Sequence, residues 1–240
     1  MPNKYIPGII VLLLLSALAG CLKQDDDTKT GPRAQIAIIN ASLDSEPLFL
    51  LVDGAKVNEE GVAFAEVSGT ASNAYIPLRP GVRNTSWMMG ADPAPEEKLF
   101  PWEPGAYYTM IQFDTAVNNQ APTILFKDVL NINDSVGRAR FFNTVAGNDS
   151  LSLVAVRTRD TVRIGSRQPF IANVSSVTTN FASTLRAGGW RLDLLNKDSV
   201  VIFTNEILIE ENTAYSFIAT GETGGVGEKA PSLLQVVHRK

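Results

Sequence analysis

The sequence predicts an all-β protein made of two tandem β-sandwiches that follow an N-terminal leader and a polar tether. Three observations carry this. Short runs rich in Val, Ile, Leu, Phe and Tyr alternate with Asp, Gly, Pro and Asn clusters along the chain. No stretch beyond the leader sustains a helical period. The second half repeats the pattern of the first at a nearly constant offset. Repeats are read first because a missed one misassigns the whole fold.

Residues 1–20 carry one positive charge, Lys4, in their opening Met1–Lys4, continue through the apolar run from Ile9 to Leu15 and end in small residues before Cys21. A charged start, a short apolar run and small residues before a cut describe a secretory signal peptide. A membrane-spanning helix needs about 20 apolar residues, and Pro7 and Gly8 leave this run shorter. Residues 21–32 (Cys-Leu-Lys-Gln-Asp-Asp-Asp-Thr-Lys-Thr-Gly-Pro) are polar and aperiodic, the composition of a tether that buries too little apolar surface to order itself.

The first repeat spans residues 33–116, with expected strands at 34–39, 48–52, 62–67, 74–78, 85–89 and 107–113. Val52-Asp53-Gly54 supplies a hairpin turn, where Gly accepts the positive φ at little cost. Residues 117–136 read as a linker, with residues 123–126 forming either a last strand of the first unit or a bridging strand. The second repeat, 137–240, keeps the rhythm: Trp190, Leu192 and Leu194 alternate with Arg191 and Asp193, the period of two that buries one face of a strand. A Gly-rich loop from Glu222 to Pro231 precedes a final strand at 232–237.

An offset of 103 places Ile38-Ile39-Asn40 on Phe141-Phe142-Asn143, Leu48 and Leu50 on Leu151 and Leu153, Arg83 on Arg186 and Trp87 on Trp190. An offset of 108 then aligns Leu99-Phe100 with Ile207-Leu208, Ala106-Tyr107 with Ala214-Tyr215 and Asp114-Thr115 with Glu222-Thr223. Six or seven strands per copy close most naturally as an immunoglobulin-like sandwich. Tyr107 and Tyr215 fit the tyrosine corner of such folds, in which the ring is buried and the hydroxyl bonds to nearby backbone.

Two resemblances follow from these residues. Leu18-Ala19-Gly20-Cys21 resembles the lipobox of bacterial lipoproteins, which implies cleavage before Cys21 and attachment of fatty acyl chains, palmitate among them, to Cys21. The membrane is then a partner through that lipid. The acidic run Asp25-Asp26-Asp27 is similar to the signal that sends Bacteroidota lipoproteins to the outer face of the outer membrane; an ordinary solvated spacer reads the same way, so both periplasmic side and cell surface stay open. Ile38-Ile39-Asn40-Ala41-Ser42-Leu43-Asp44, followed by Leu50-Leu51-Val52-Asp53-Gly54, resembles the opening of the domain-of-unknown-function 4397 family. That family implies exported β-sandwich repeats and no reaction.

Composition narrows the function. One Cys excludes an intramolecular disulfide, and one His with one Cys excludes the common zinc and iron–sulfur ligand sets. Any Ser-His-Asp triad would have to use His238, which its place near the chain end makes solvent-exposed. No cofactor and no metal are expected, and no enzyme. The net charge of −4, or −5 once Lys4 leaves with the leader, argues against nucleic acid as a partner. Residues 33–116 carry five basic and eleven acidic side chains, residues 137–240 twelve and nine, an asymmetry suited to packing of the two units or to head-to-tail association of molecules.

The remaining candidates are surface sites. Trp87 and Trp190, equivalent under the offset of 103, belong in the core. Trp102 and Tyr108 lack counterparts under these offsets and lie beside the Pro-rich loop 90–98, a setting for a glycan or protein ligand as well as for local packing. Asp-Ser/Thr followed by an apolar residue recurs at Thr115, Ser135, Ser150, Thr161 and Ser199, similar to the O-glycosylation motif of exported Bacteroidota proteins and also common turn chemistry. Asp128, Asn131, Asn133 and Asp134 lack the Gly and Glu of a calcium loop, and Gly224 to Lys229 lacks the ending of a phosphate loop. The expected role is a non-catalytic binding or structural module; the alternative is a subunit or accessory protein of a fimbria-like adhesive fibre, which would need cleavage at Arg33.

Overall fold

The computed structural model describes residues 31–91, 97–116, 121–130, 132, 135–147, 150–171, 175 and 179–240. Arg33–Lys240 form one compact unit. The fold is all-β, as expected, and its sheets make two sandwiches.

In the first sandwich, one sheet holds β1 (Ala34–Asn40), β4 (Glu66–Val67), β5 (Ile76–Leu78), β8 (Tyr107–Gln112) and β9 (Thr123–Lys127). β1 is central: it runs parallel to β8 and antiparallel to β4 and β5. The facing sheet is ordered β3 (Ala55–Lys56), β2 (Leu48–Val52), β6 (Gly81–Met89), β7 (Lys98–Trp102). The second sandwich repeats this. Its first sheet is ordered β13 (Ser183–Arg186), β10 (Val136–Asn143), β16 (Thr213–Thr220), β17 (Ser232–His238), with β10 parallel to β16. Its second sheet is ordered β12 (Asp160–Pro169), β11 (Ser150–Arg157), β14 (Gly188–Leu195), β15 (Val201–Ile209). β9 pairs with β8, so residues 123–127 are the last strand of the first sandwich.

Each sandwich has its own core. Ile36, Leu48, Leu50, Trp102, Tyr108 and Met110 fill the first; Phe141, Leu151, Leu153, Leu192, Tyr215 and Phe217 fill the second. A third cluster lies between the sandwiches and takes residues from both: Ile39, Ile111, Phe113 and Phe126 from one side, Phe142, Ile218 and Val236 from the other. Alternate residues explain how. On β1, Ile36 and Ile38 face their own sandwich while Ala37 and Ile39 face the other copy. The order is therefore four sheets in layers, with the β1 sheet packed on the β10 sheet. Strands buried on both faces read as continuous apolar runs rather than alternation, which is how Ile36 to Ile39 read, and Tyr215 to Ala219 but for Ser216.

Strand register corrects the alignment of the copies. The offset of 103 holds from Asn40 to Val52: Asn40 Oδ1 accepts the Ser42 N–H and Asn143 Oδ1 accepts the Val145 N–H, both at 3.1 Å. Val52 pairs directly with Ala55 across a two-residue turn, with Asp53 at φ 51° and Gly54 at φ 75°. The corresponding Ala155 pairs with Val162, so four more residues lie in that hairpin and the offset becomes 107. It then stays there through β8 and β16. Gly81 and Gly188, at φ 118° and 120°, both open their strands. Leu50 faces Trp87 and Leu153 faces Leu194, so Trp87 corresponds to Leu194 and not to Trp190.

Ile36 faces Tyr108 and Ala139 faces Tyr215, so Tyr108, not Tyr107, is the partner of Tyr215. The tyrosine-corner hydrogen bonds agree. The Tyr108 hydroxyl accepts the Glu103 N–H at 3.0 Å, and the Tyr215 hydroxyl accepts the Glu210 N–H at 2.9 Å. Trp102 likewise has a counterpart, Ile209, since Gly81 faces Trp102 and Gly188 faces Ile209.

Two strands escape sequence reading. β3 has only two residues, and β7 carries Pro101. Pro is tolerated there because β7 is an edge strand, where one ladder position without an N–H is harmless.

Candidate functional site

The sequence candidates are scattered. Cys21, and with it the signal segment, lies outside the described residues. Trp102 and Tyr108 are 1% and 2% exposed. Trp102 Nε1 donates to Thr85 Oγ1 at 3.1 Å, and its ring meets Tyr108 edge-on at 4.9 Å. A stacking platform needs an exposed ring face and neither offers one, so both are packing residues in this structure. Among the Asp-Ser/Thr positions, Thr115, Ser135, Thr161 and Ser199 are exposed, and Ser150 is half-buried at the start of β11. Their hydroxyls do not converge on a common site.

His238, expected in solvent, is fully buried. The reason is β17: it pairs along β16, and its last residue points into the space between the sandwiches. Around it lies a polar cluster that the sequence did not announce. Arg140 on β10 and Asp128, just after β9, form an ion pair at 2.7 Å with both side chains almost wholly out of water. Tyr75 and Thr109 donate to the other Asp128 oxygen at 2.6 and 2.7 Å. Arg140 also donates to the carbonyl of Thr179, to Thr109 Oγ1 and to Ser216 Oγ, while its guanidinium lies 4.0 Å over the Phe181 ring. Ser216 Oγ sits 2.8 Å from His238 Nε2, and the His238 ring packs against those of Tyr75 and Phe181.

The cluster is pseudo-symmetric. Register places Thr109 opposite Ser216 as equivalents, and Asp128 and His238 each follow the same point of the last strand. Burial, with the Arg140 charge added, holds the His238 pKa well below its usual value. Burial, then the Asp128 charge, pushes Tyr75 far up. Neutral His238 and Tyr75 beside a neutralised Arg140–Asp128 pair make a junction with almost no free charge. Breaking a buried pair by removing one partner costs about 3–5 kcal/mol, whereas replacing both with well-packed apolar residues can be neutral. The pair therefore acts chiefly on how the two sandwiches dock. Lys229 and Asp44 join them at the surface, at 2.7 Å.

The open concavities lie elsewhere. A cleft of about 370 Å³ runs beside the β2–β3 hairpin and the segment joining β5 to β6. Arg33, Lys56, Arg79 and Arg83 line it, with Asp53 and the buried Leu78. Arg83 donates to Asp53 Oδ2 at 2.6 Å, and Lys56 Nζ lies 3.6 Å over the Phe49 ring. A smaller cleft of about 290 Å³ lies between Asn196–Asp198 and Thr223–Gly224. Among the described residues no three His, Cys, Asp or Glu side chains converge as a metal site requires.

Fold and site together define an all-β protein of two docked sandwiches whose interior polar groups serve the docking. No family model matches the chain, and no curated protein matches it. Among solved structures the chain is similar to one from Bacteroides ovatus ATCC 8483 named for a proposed role in cell adhesion: 10% identity over 88% of this chain and 98% of that one, TM-score 0.23. A second, from Bacteroides eggerthii DSM 20697 and named in the same way, has 9% identity over 87% and 96%, TM-score 0.20. Likenesses this distant carry no argument about fold or role.

Proposed function

We propose that this chain is an exported lipoprotein, anchored to the outer membrane through Cys21, that serves as a non-catalytic binding or structural module and stands at the cell surface. The observation that supports the module reading most is the Arg140 junction. Tyr75 and His238, both displaced from their ordinary titration, lie buried between the sandwiches with Arg140 and Asp128, where their contacts are with the two sheets. The likeness of Ile38–Asp44 to domain-of-unknown-function 4397 repeats belongs with this reading, as does the lipobox-like Leu18-Ala19-Gly20-Cys21. The fibre reading draws less support, since a cut at Arg33 leaves β1, which begins at Ala34, in place.

Mass spectrometry of the chain purified from membranes should find lipid on Cys21, and brief protease treatment of intact cells should cleave it. An unmodified Cys21 would refute the anchor. Full protection of a protein that is cleaved in lysed cells would refute the surface assignment and leave the periplasmic side.

A further inference from the structure

The first sandwich is the acidic one, yet four of the five basic residues in 33–116 line one cleft. With Asp53 as the one acidic side chain of the lining, the cleft carries a formal charge of +3 in a segment whose total is −6. From this concentration we infer that the cleft binds a phosphate monoester, carried either by a small sugar or by a lipid headgroup. The inference rests on the reading of the chain as a binding module and names the ligand chemistry of one site on it.

Planar guanidinium groups match phosphate oxygens in pairs, and a lysine adds a point charge. The volume of about 370 Å³ lies at the lower end of the range for small-molecule sites, roughly 300–1,000 Å³, the size of a single phosphorylated sugar or headgroup. Asp53 orients Arg83, and the hairpin that supplies Asp53 is held by its own tight turn. The short hairpin also keeps the cleft open. In the second sandwich the longer hairpin carries Arg157, which folds over Trp190, the residue at the position of Arg83. Basic character itself recurs: Arg163 and Arg186 stand at the register positions of Lys56 and Arg79. Arg33, the first residue of the compact unit, closes the lining.

The test is calorimetric titration of the full chain in neutral detergent with glucose 1-phosphate, inorganic phosphate and dihexanoyl phosphatidic acid, with glucose as the uncharged control. The phosphates bind and glucose does not; tighter binding of the sugar phosphate assigns a soluble source, and tighter binding of the phosphatidic acid assigns a headgroup. The double variant Arg33→Ala/Lys56→Ala, both positions exposed, weakens binding about tenfold or more, while Lys98→Ala, the fifth cation of the segment, leaves it unchanged. Absence of heat with every phosphate probe overturns the inference, as does equal binding by a double variant with an unchanged circular dichroism spectrum. If those results came while the chain still co-purified with an outer-membrane partner, the cleft assignment would fall and the module reading would stand.

Discussion

His238 holds the main residue-scale consequence. Its ring is buried against Tyr75 and Phe181, beside Ser216 and the Arg140 guanidinium, and stays neutral in the folded protein. In the unfolded chain it takes a proton near its ordinary value of 6.5. Below that pH the unfolded state binds a proton that the folded state does not, so stability falls as pH drops, with a limiting slope of about 1.4 kcal/mol per pH unit. Above pH 7 this group contributes no pH dependence. Urea midpoints measured at pH 7.5, 6.5 and 5.5 should decline in the wild type, and His238→Gln should flatten the decline. An equal slope in the variant would place the effect on other groups.

At the scale of elements, β10 shows why a glycine stands inside a strand. Gly137 faces Leu185 on β13 and Thr213 on β16, and a Cβ there would fall on the Ile209 side chain, with Glu210 O and Tyr215 Cε2 each at 3.3 Å. Gly137→Ala is therefore expected to destabilise the protein by about 1–3 kcal/mol, the usual range for overpacking. Denaturation of this variant against Gly189→Ala, where a Cβ meets nothing within 4 Å, separates crowding from a general cost of losing glycine. The β2–β3 hairpin was legible beforehand because Asp53-Gly54 is local turn chemistry. The copies' true register was not. Arg83/Arg186 and Trp87/Trp190 match as letters, but four residues added inside the second hairpin move every later strand, and pairing alone reveals where an insertion is absorbed.

For the whole molecule, the shared core changes what kind of object this is. Two sandwiches joined only by a linker would melt separately. Here Ile39, Ile111, Phe113 and Phe126 pack against Phe142, Ile218 and Val236, Arg140 of one copy is neutralised by Asp128, and Ala74 N–H donates to the Val237 carbonyl at 2.8 Å. Calorimetry should give a single transition in which the calorimetric and van't Hoff enthalpies agree. Two resolved transitions would show the copies to be independent.

What the sequence determined by itself is whatever local chemistry controls: the all-β class, the duplication and the Asp53-Gly54 turn. These follow from period, turn residues and short motifs, which act over a few neighbours. What only the tertiary structure decided is which surfaces meet. Runs such as Tyr-Ser-Phe-Ile-Ala-Thr on β16 hint at burial on both faces, but nothing in them says that the second face belongs to the other copy. Trp102 and Tyr108, beside a Pro-rich loop, lie in the core because β7 folds back along β6 and β8 lies beneath it. His238, with two residues after it, is buried because β17 completes a sheet. Arg33, Lys56, Arg79 and Arg83 are spread over 51 positions of sequence and share one cleft. Contacts of that kind depend on chain segments far apart, so the packing of the sheets, and no single stretch of residues, decides them.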